Sequence, residues 1–225
     1  MKYRIDGTTM QTVTVELGEN ESVYSESGAM AWMSDNIEMQ SEMKGGFGGA
    51  IGRVFSGESI FLVNFTSRGG EGVVTFASDF PGKILPMKIA MGQNLICQKD
   101  AFLFGEQSIK LKTHFRKKLG VGLFGGEGFI LQEVSGEGTV FVALDGEISE
   151  MELKKGQRIK VDTGCLAMYE PSVKFEIEMV KGIKNILFGG EGLFLAILEG
   201  PGKVWLQSMP ISNLAGAVAQ YIPRG

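Results

Sequence analysis

Three stretches of the chain alternate apolar and polar residues in step: "IEMQSEM" from Ile37, "IKLKTHF" from Ile109 and "VKFEIEM" from Val173. A period of two is the pattern of a strand with one face in the core, because successive side chains leave a strand on opposite sides. It predicts that Ile37, Met39 and Met43, then Ile109, Leu111 and Phe115, then Val173, Phe175, Ile177 and Met179 point inward. A denser apolar run follows each: "IFLVNF" from Ile60, "FILQEV" from Phe129 and "LFLAIL" from Leu193. Such runs fit central strands covered on both faces. The glycine turns "RGGEG", "SGEG" and "EGPG" come next, leading into "VVTFAS", "TVFVAL" and "KVWLQS". Strand, glycine turn and strand predict three hairpins. Helical spacing occurs only in the tail, where Leu214, Ala217, Val218 and Tyr221 follow Ser212 and Asn213 as an amino-terminal cap and Pro223 ends the run. A short helix there would cover a sheet edge, the default, or pack against a neighbouring subunit. The pattern is all-β.

The same units recur. "FGGEG" stands at Phe124 and again at Phe188, with the near copy "FSGES" at Phe55. "ILPMKIAMGQN" from Ile84 matches "ISEMELKKGQR" from Ile148, and "TVTVELGEN" from Thr12 reads as a third copy with Asn20 in place of Gly92 and Gly156. Asparagine tolerates positive φ best after glycine, so Asn20 fits a turn. Gly28, Asp100 and Gly164, eight residues further on in each copy, also accept such a backbone. The repeats run over about 55–123, 124–187 and 188–225 plus 1–54. The last is completed across the termini, which predicts one closed domain over 1–225 with internal pseudo-threefold symmetry, its amino-terminal strands pairing with carboxyl-terminal ones.

The repeated "FGGEG" corners, "SGAMAWM" from Ser27 and "GPGKVWLQSMP" from Gly200 resemble bacterial members of the altered inheritance of mitochondria family. The resemblance covers essentially the whole chain. It implies a β-helix-like or prism-like fold, classed with the tryptophan RNA-binding attenuator protein-like superfamily, and frequent oligomers. The mitochondrial members are linked to organising the inner membrane; for bacterial members the resemblance implies no established activity.

Composition narrows the chemistry. The 33 glycines against 6 prolines call for many tight turns, and the net charge of −4 gives no general attraction to phosphate backbones. Tryptophans and tyrosines are few and the phenylalanines fall on apolar runs, so no nucleic-acid partner is expected. Cys97 and Cys165 sit in apolar runs without metal-ligand spacing and read as buried free thiols. His114 is the single histidine, at a polar position of its strand, and cannot build a histidine-rich metal site. The glycine corners lack the lysine and hydroxyl of a phosphate-binding loop. No catalytic residue and no cofactor is therefore expected. Glu58, Glu127 and Glu191 take equivalent places in the corners; they either accept hydrogen bonds from their own turns or, if brought together, hold a hard cation.

One surface carries a functional signal. The loops "KGGFGGAIGRVFSG", "RKKLGVGLFGG" and "KGIKNILFGG" each mix large apolar residues with basic ones. The apolar members are Phe47, Ile51, Val54 and Phe55; Leu119, Val121, Leu123 and Phe124; Ile183, Ile186, Leu187 and Phe188. The basic rim is Lys44, Arg53, Arg116, Lys117, Lys118, Lys181 and Lys184. Three readings stay open: a homo-oligomer or protein-partner interface, contact with an anionic membrane surface, or apolar residues folded inward as a plug for the end of the domain. The expectation is a non-enzymatic, cytoplasmic β scaffold working through the first of these. Its alternatives are a peripheral membrane organiser and, third, a small-ligand or cation binder.

Overall fold

Alternation and β-branched runs do form strands throughout the described residues, as the period-two rule requires. The structure is a computed structural model and describes residues 1–42, 62–117, 128–180, 193–219 and 221. In chain order the strands are β1 (Lys2–Asp6), β2 (Thr12–Leu17), β3 (Ser22–Glu26), β4 (Met30–Met33), β5 (Ile37–Glu42), β6 (Leu62–Ser67), β7 (Gly72–Ala77), β8 (Gly82–Ile89), β9 (Leu95–Gln98) and β10 (Phe102–Glu106). They continue with β11 (Lys110–Lys117), β12 (Phe129–Ser135), β13 (Gly138–Asp145), β14 (Ile148–Leu153), β15 (Arg158–Asp162), β16 (Leu166–Tyr169), β17 (Lys174–Val180), β18 (Leu193–Glu199) and β19 (Gly202–Gln207). One helix, α1 (Ile211–Ala219), closes the described chain.

These strands form four sheets, of orders β1-β2-β7-β4, β5-β6-β3-β10-β13-β8, β11-β12-β9-β16-β19-β14 and β15-β18-β17. Adding six to each strand number of the first six-stranded order gives the second. The chain divides into two compact units: Met1–Asn94 with Asp100–Thr113 and Glu133–Leu144, and Leu95–Lys99 with His114–Gln132 and Asp145–Gly225.

Two sequence expectations about pairing are corrected. The glycine turns after β6, β12 and β18 do not make hairpins: β6 pairs with β5 and β3 while β7 pairs with β2 and β4, and β18 and β19 likewise lie in different sheets. The turn residues permit the change of sheet. Gly69 and Gly70 take φ 69 and 132, Gly136 and Gly138 take 108 and 153, and Gly202 takes 139, a backbone that turns the strand out of its sheet. Asn36 Nδ2 donates to the carbonyls of Arg68 and Glu71, and Ser67 Oγ donates to that of Gly70, which fixes the first of these crossovers. The hairpins join each alternating strand to the dense strand after it, with Ile37 opposite Ser67 and Lys174 opposite Glu199. Nor do the amino-terminal strands take carboxyl-terminal partners: β2 pairs antiparallel with β1 and β7, placing Val13 opposite Phe76 and Val15 opposite Val74. The burial of Val13, Val15 and Leu17 among Val74, Phe76 and Phe104 holds that pairing.

The first unit's core centres on parallel stacks of Phe76 on Phe104 and Phe104 on Phe141, with centroids 4.2 and 4.3 Å apart. The second unit packs Phe129, Tyr169 and Phe175 with Leu131, Leu166 and Leu198, and Phe115 meets Phe175 edge to face at 5.1 Å. Aromatic side chains buried in this way contribute about 3–5 kcal/mol each by truncation, enough to decide whether a unit folds.

At the turns, Asn20, Gly92 and Gly156 adopt φ 63, 78 and 76, as expected for their shared place. Of the three residues further on, Gly28 has φ 100, whereas Asp100 and Gly164 sit in the short 3-10 turns Lys99–Ala101 and Thr163–Cys165. Asp162 Oδ1 accepts from the Gly164 amide and supports the second of these. Helix α1 also departs from expectation. Ser212 and Asn213 lie inside it, the Pro210 carbonyl accepts from Asn213 and Leu214, and Ala217, Val218 and Tyr221 are exposed instead of covering an edge.

Candidate functional site

The three apolar and basic loops leave the sheets from β5, β11 and β17. Residues 43–61, 118–127 and 181–192 lie outside the described residues, and with them every apolar loop candidate from Phe47 to Phe188, the corner glutamates Glu58, Glu127 and Glu191, and all the basic rim except Arg116 and Lys117. The strands that enter and leave the loops define the site's base. β5 and β6 stay in register to Glu42 opposite Leu62, and β17 and β18 to Val180 opposite Leu193. β5 with β6 and β17 with β18 are thus antiparallel pairs, and β11 and β12 are hydrogen-bonded neighbours. Gly128, the last glycine of the middle corner, takes φ 86 as the chain re-enters β12.

Burial decays along these strands toward the loops. Ile37, Ile109, Leu111 and Val173 are buried, Phe115, Phe175 and Ile177 half-buried, but Met39 and Met179 are 45% and 55% exposed. The alternation placed both methionines in the core, together with Met43, which is outside the described residues. The physical reason for the difference is that backbone pairing continues past the covering layer. Met39 still lies opposite Phe65 and Met179 opposite Phe194, yet nothing among the described residues covers them. On β5 and on β17, each within its own unit, an apolar strand face therefore runs beyond the covered core.

The polar faces of the three strands differ in charge. On β5, Glu38 accepts from Arg68 Nε at 2.8 Å and from Gln40 Nε2 at 2.8 Å; the arginine bond, then the glutamine bond, holds its carboxyl below the usual range. On β17 the charges form a ladder across β18 to β15: Lys160 with Glu178 at 3.0 Å, Lys174 with Glu199 at 3.1 Å, and Arg158 with Glu199 at 3.6 Å. β11 instead presents Lys110, Lys112, His114 and Arg116, all exposed at alternating positions, with Lys117 beside them. The sequence reading put Arg116 and Lys117 in the rim and missed Lys110 and Lys112. Their signal was the absence of any Asp or Glu between Glu106 and Glu127.

Elsewhere, two glutamines are tied into structure. Gln207 donates to the Gly164 carbonyl at 2.9 Å and accepts from the Asp145 amide at 3.0 Å, while Gln98 donates to the Thr163 carbonyl at 2.9 Å. Cys97 is buried and Cys165 half-buried; burial, and secondarily the charge of Asp162, pushes the Cys165 thiol up. Tyr169 is buried without a hydrogen-bond partner for its hydroxyl among the described residues, and burial raises its phenol strongly. No group of three metal-ligating side chains occurs among the described residues.

Fold and site together define an all-β protein of several antiparallel sheets in which β5 and β17 carry apolar faces beyond the covered core. The chain belongs to the family described as Mitochondrial biogenesis AIM24, which matches residues 3–209. It is 29% identical over 233 residues to the uncharacterized protein M6_Spy0233 of Streptococcus pyogenes serotype M6, covering 99% of this chain and 92% of that one. It also matches the crystal structure of protein SPYM3_0169 from Streptococcus pyogenes, with 25% identity, a TM-score of 0.78, and coverage of 98% of this chain and 99% of the other. The family, not a wider superfamily, is what these matches establish.

Proposed function

We propose that this protein is a non-enzymatic, cytoplasmic β scaffold that works by binding other protein surfaces, a second copy of itself first among them, through the hairpin ends and the glycine-rich loops they carry. The observation that carries the reading is the exposure of Met39 and Met179, inward-facing by alternation yet open to water on β5 and β17. Such apolar surface gains from losing water on association, by about 25 cal/mol for each Å² covered. The sequence continues it with Phe47, Leu123 and Leu187 and their neighbours. The reading takes the chain as three copies of one strand, corner and strand unit, supported by the two six-stranded sheets that share one order displaced by six strands.

The test is solution mass by light scattering on wild type and on Leu123→Ser with Leu187→Ser, with circular dichroism as the check on folding. A folded variant of reduced mass supports the interface. A folded variant of unchanged mass that also floats with anionic liposomes less well than wild type transfers the surface to the membrane. Loss of folding favours the plug. No helix among the described residues is long and apolar enough to cross a membrane.

A further inference from the structure

Methionine is the large apolar side chain that a two-electron oxidant converts reversibly into a polar one: the thioether becomes a sulfoxide, and methionine sulfoxide reductases return it. What the conversion does depends on where the sulfur stands. Of the 12 methionines in the chain, Met168 is fully buried, whereas Met1, Met10, Met39, Met91 and Met179 are exposed. Three of these five stand where a change of polarity alters little. Met1 starts the chain, Met10 precedes β2 and makes a single bridge to Gly82, and Met91, 82% exposed, sits in the turn that the Gln93 amide closes on the Ala90 carbonyl.

Met39 and Met179 are placed differently. Each continues an apolar strand face that begins in a core: Met39 follows Ile37 on β5 of the first unit, and Met179 follows Phe175 and Ile177 on β17 of the second. Each also stands opposite a phenylalanine, Met39 opposite Phe65 and Met179 opposite Phe194. Residues so paired have Cβ atoms about 4.5–5.5 Å apart. A thioether suits such aromatic surroundings. A sulfoxide puts a strong hydrogen-bond acceptor on the same surface, and covering that acceptor without a donor opposes association. The cysteines do not take up the oxidant first. Cys97 is buried, and Cys165 is half-buried with its thiol pushed up by burial, so at neutral pH it stays in the unreactive protonated form.

We propose that Met39 and Met179 are modification sites at which a hydroperoxide reversibly switches off the association of this protein with its partner surface. The proposal rests on the partner-binding reading above and supplies its regulation. With hydrogen peroxide, the sulfur lone pair takes one oxygen: an S–O bond forms, the O–O bond breaks, and the sulfur is oxidised by two electrons. The transferred oxygen gives its proton to the departing hydroxide, which leaves as water. Reaction takes place on the dissociated chain, where both residues are exposed, and so draws that form out of its equilibrium with the assembly.

The test treats the full chain with hydrogen peroxide at neutral pH. Sulfoxides are mapped by peptide mass spectrometry, mass is followed by light scattering, and circular dichroism checks folding. We expect mass to fall as sulfoxide accumulates at Met39 and Met179, with an association constant lower by about tenfold or more, and to return when methionine sulfoxide reductases of both epimer specificities are added with a dithiol. Oxidation of both residues is expected to slow as protein concentration rises, and that of Met91 to stay constant. Met10→Leu with Met91→Leu is expected to associate and to respond to peroxide as wild type does. Met39→Leu with Met179→Leu, read against its own untreated mass, is expected not to respond, and Met39→Gln with Met179→Gln to show reduced mass without peroxide. The proposal is overturned if folded protein carrying both sulfoxides keeps its mass, if the Met39 and Met179 leucine pair responds as wild type does, or if the Met10 and Met91 pair is the one that loses its response. Untreated protein that is a single chain removes the interface reading and this switch with it, whereas untreated protein of higher mass that is indifferent to both sulfoxides removes the switch alone.

Discussion

Asn20 holds a left-handed backbone, φ 63, in the turn between β2 and β3, and Arg68 donates to its side-chain oxygen at 2.8 Å. A residue with a Cβ and no local hydrogen bonding pays about 1–2 kcal/mol in that conformation, whereas glycine pays nothing for sterics. Asn20→Ala is therefore expected to lower stability by about 1 kcal/mol in urea denaturation, and Asn20→Gly by no more than a few tenths. Tyr169 gives a prediction of different kind. Its folded pKa is raised by burial, so the unfolded chain releases the phenol proton first as pH rises. The contribution is whole below about pH 10 and is lost above it, because the unfolded state then binds fewer protons than the folded one. Cys165, raised in the same direction, adds to the alkaline loss from about pH 8.5 upward. Tyr169→Phe removes a buried hydroxyl without a partner among the described residues, so at neutral pH it is expected to hold stability within about 1 kcal/mol of wild type. Its stability should fall less between about pH 9 and 11, and an unchanged alkaline slope would contradict the assignment.

At the level of elements, the alternating strands were readable and their partners were not. Period two identified β5, β11 and β17, and the buried ends at Ile37, Leu111 and Val173 agree with it. Alternation says which face a residue takes but not where the covering layer stops, and this is why Met39 and Met179 were misplaced. The consequence is measurable. Met39→Gln and Met179→Gln are each expected to cost less than about 0.5 kcal/mol, as surface changes do, while Leu111→Ala costs about 2–5 kcal/mol. A loss above about 2 kcal/mol for either methionine would return it to the core. The glycine turns after β6, β12 and β18 taught the same lesson. A short glycine link between two apolar runs signals a sharp change of direction, and whether the second strand lies beside the first or in another sheet depends on packing that no short window contains.

For the molecule as a whole, the apolar hairpin ends and the charge pattern lead to different behaviour in salt. Apolar association survives screening, while contacts made by exposed lysines with an anionic surface weaken once the Debye length falls to a few ångströms. Wild-type protein is expected to scatter with a mass above its single-chain 24.3 kDa, and to keep that mass at about 0.5 M sodium chloride. Mass that falls to the single chain at high salt would assign the association to charge and remove the apolar hairpin ends as its cause.

The sequence by itself determined the all-β class, the family through its corners and its "SGAMAWM" and "GPGKVWLQSMP" stretches, and the positive-φ turn at Asn20. Each depends on local chemistry: side-chain alternation, glycine and asparagine tolerance, or a recognisable run of residues. The tertiary structure alone decided that β2 pairs with β7, that β6 and β7 part into different sheets, and that burial ends before Met39 and Met179. These are non-local facts. They depend on which strand approaches from far along the chain, and a strand's own residues record only that one of its faces seeks cover, not what supplies it.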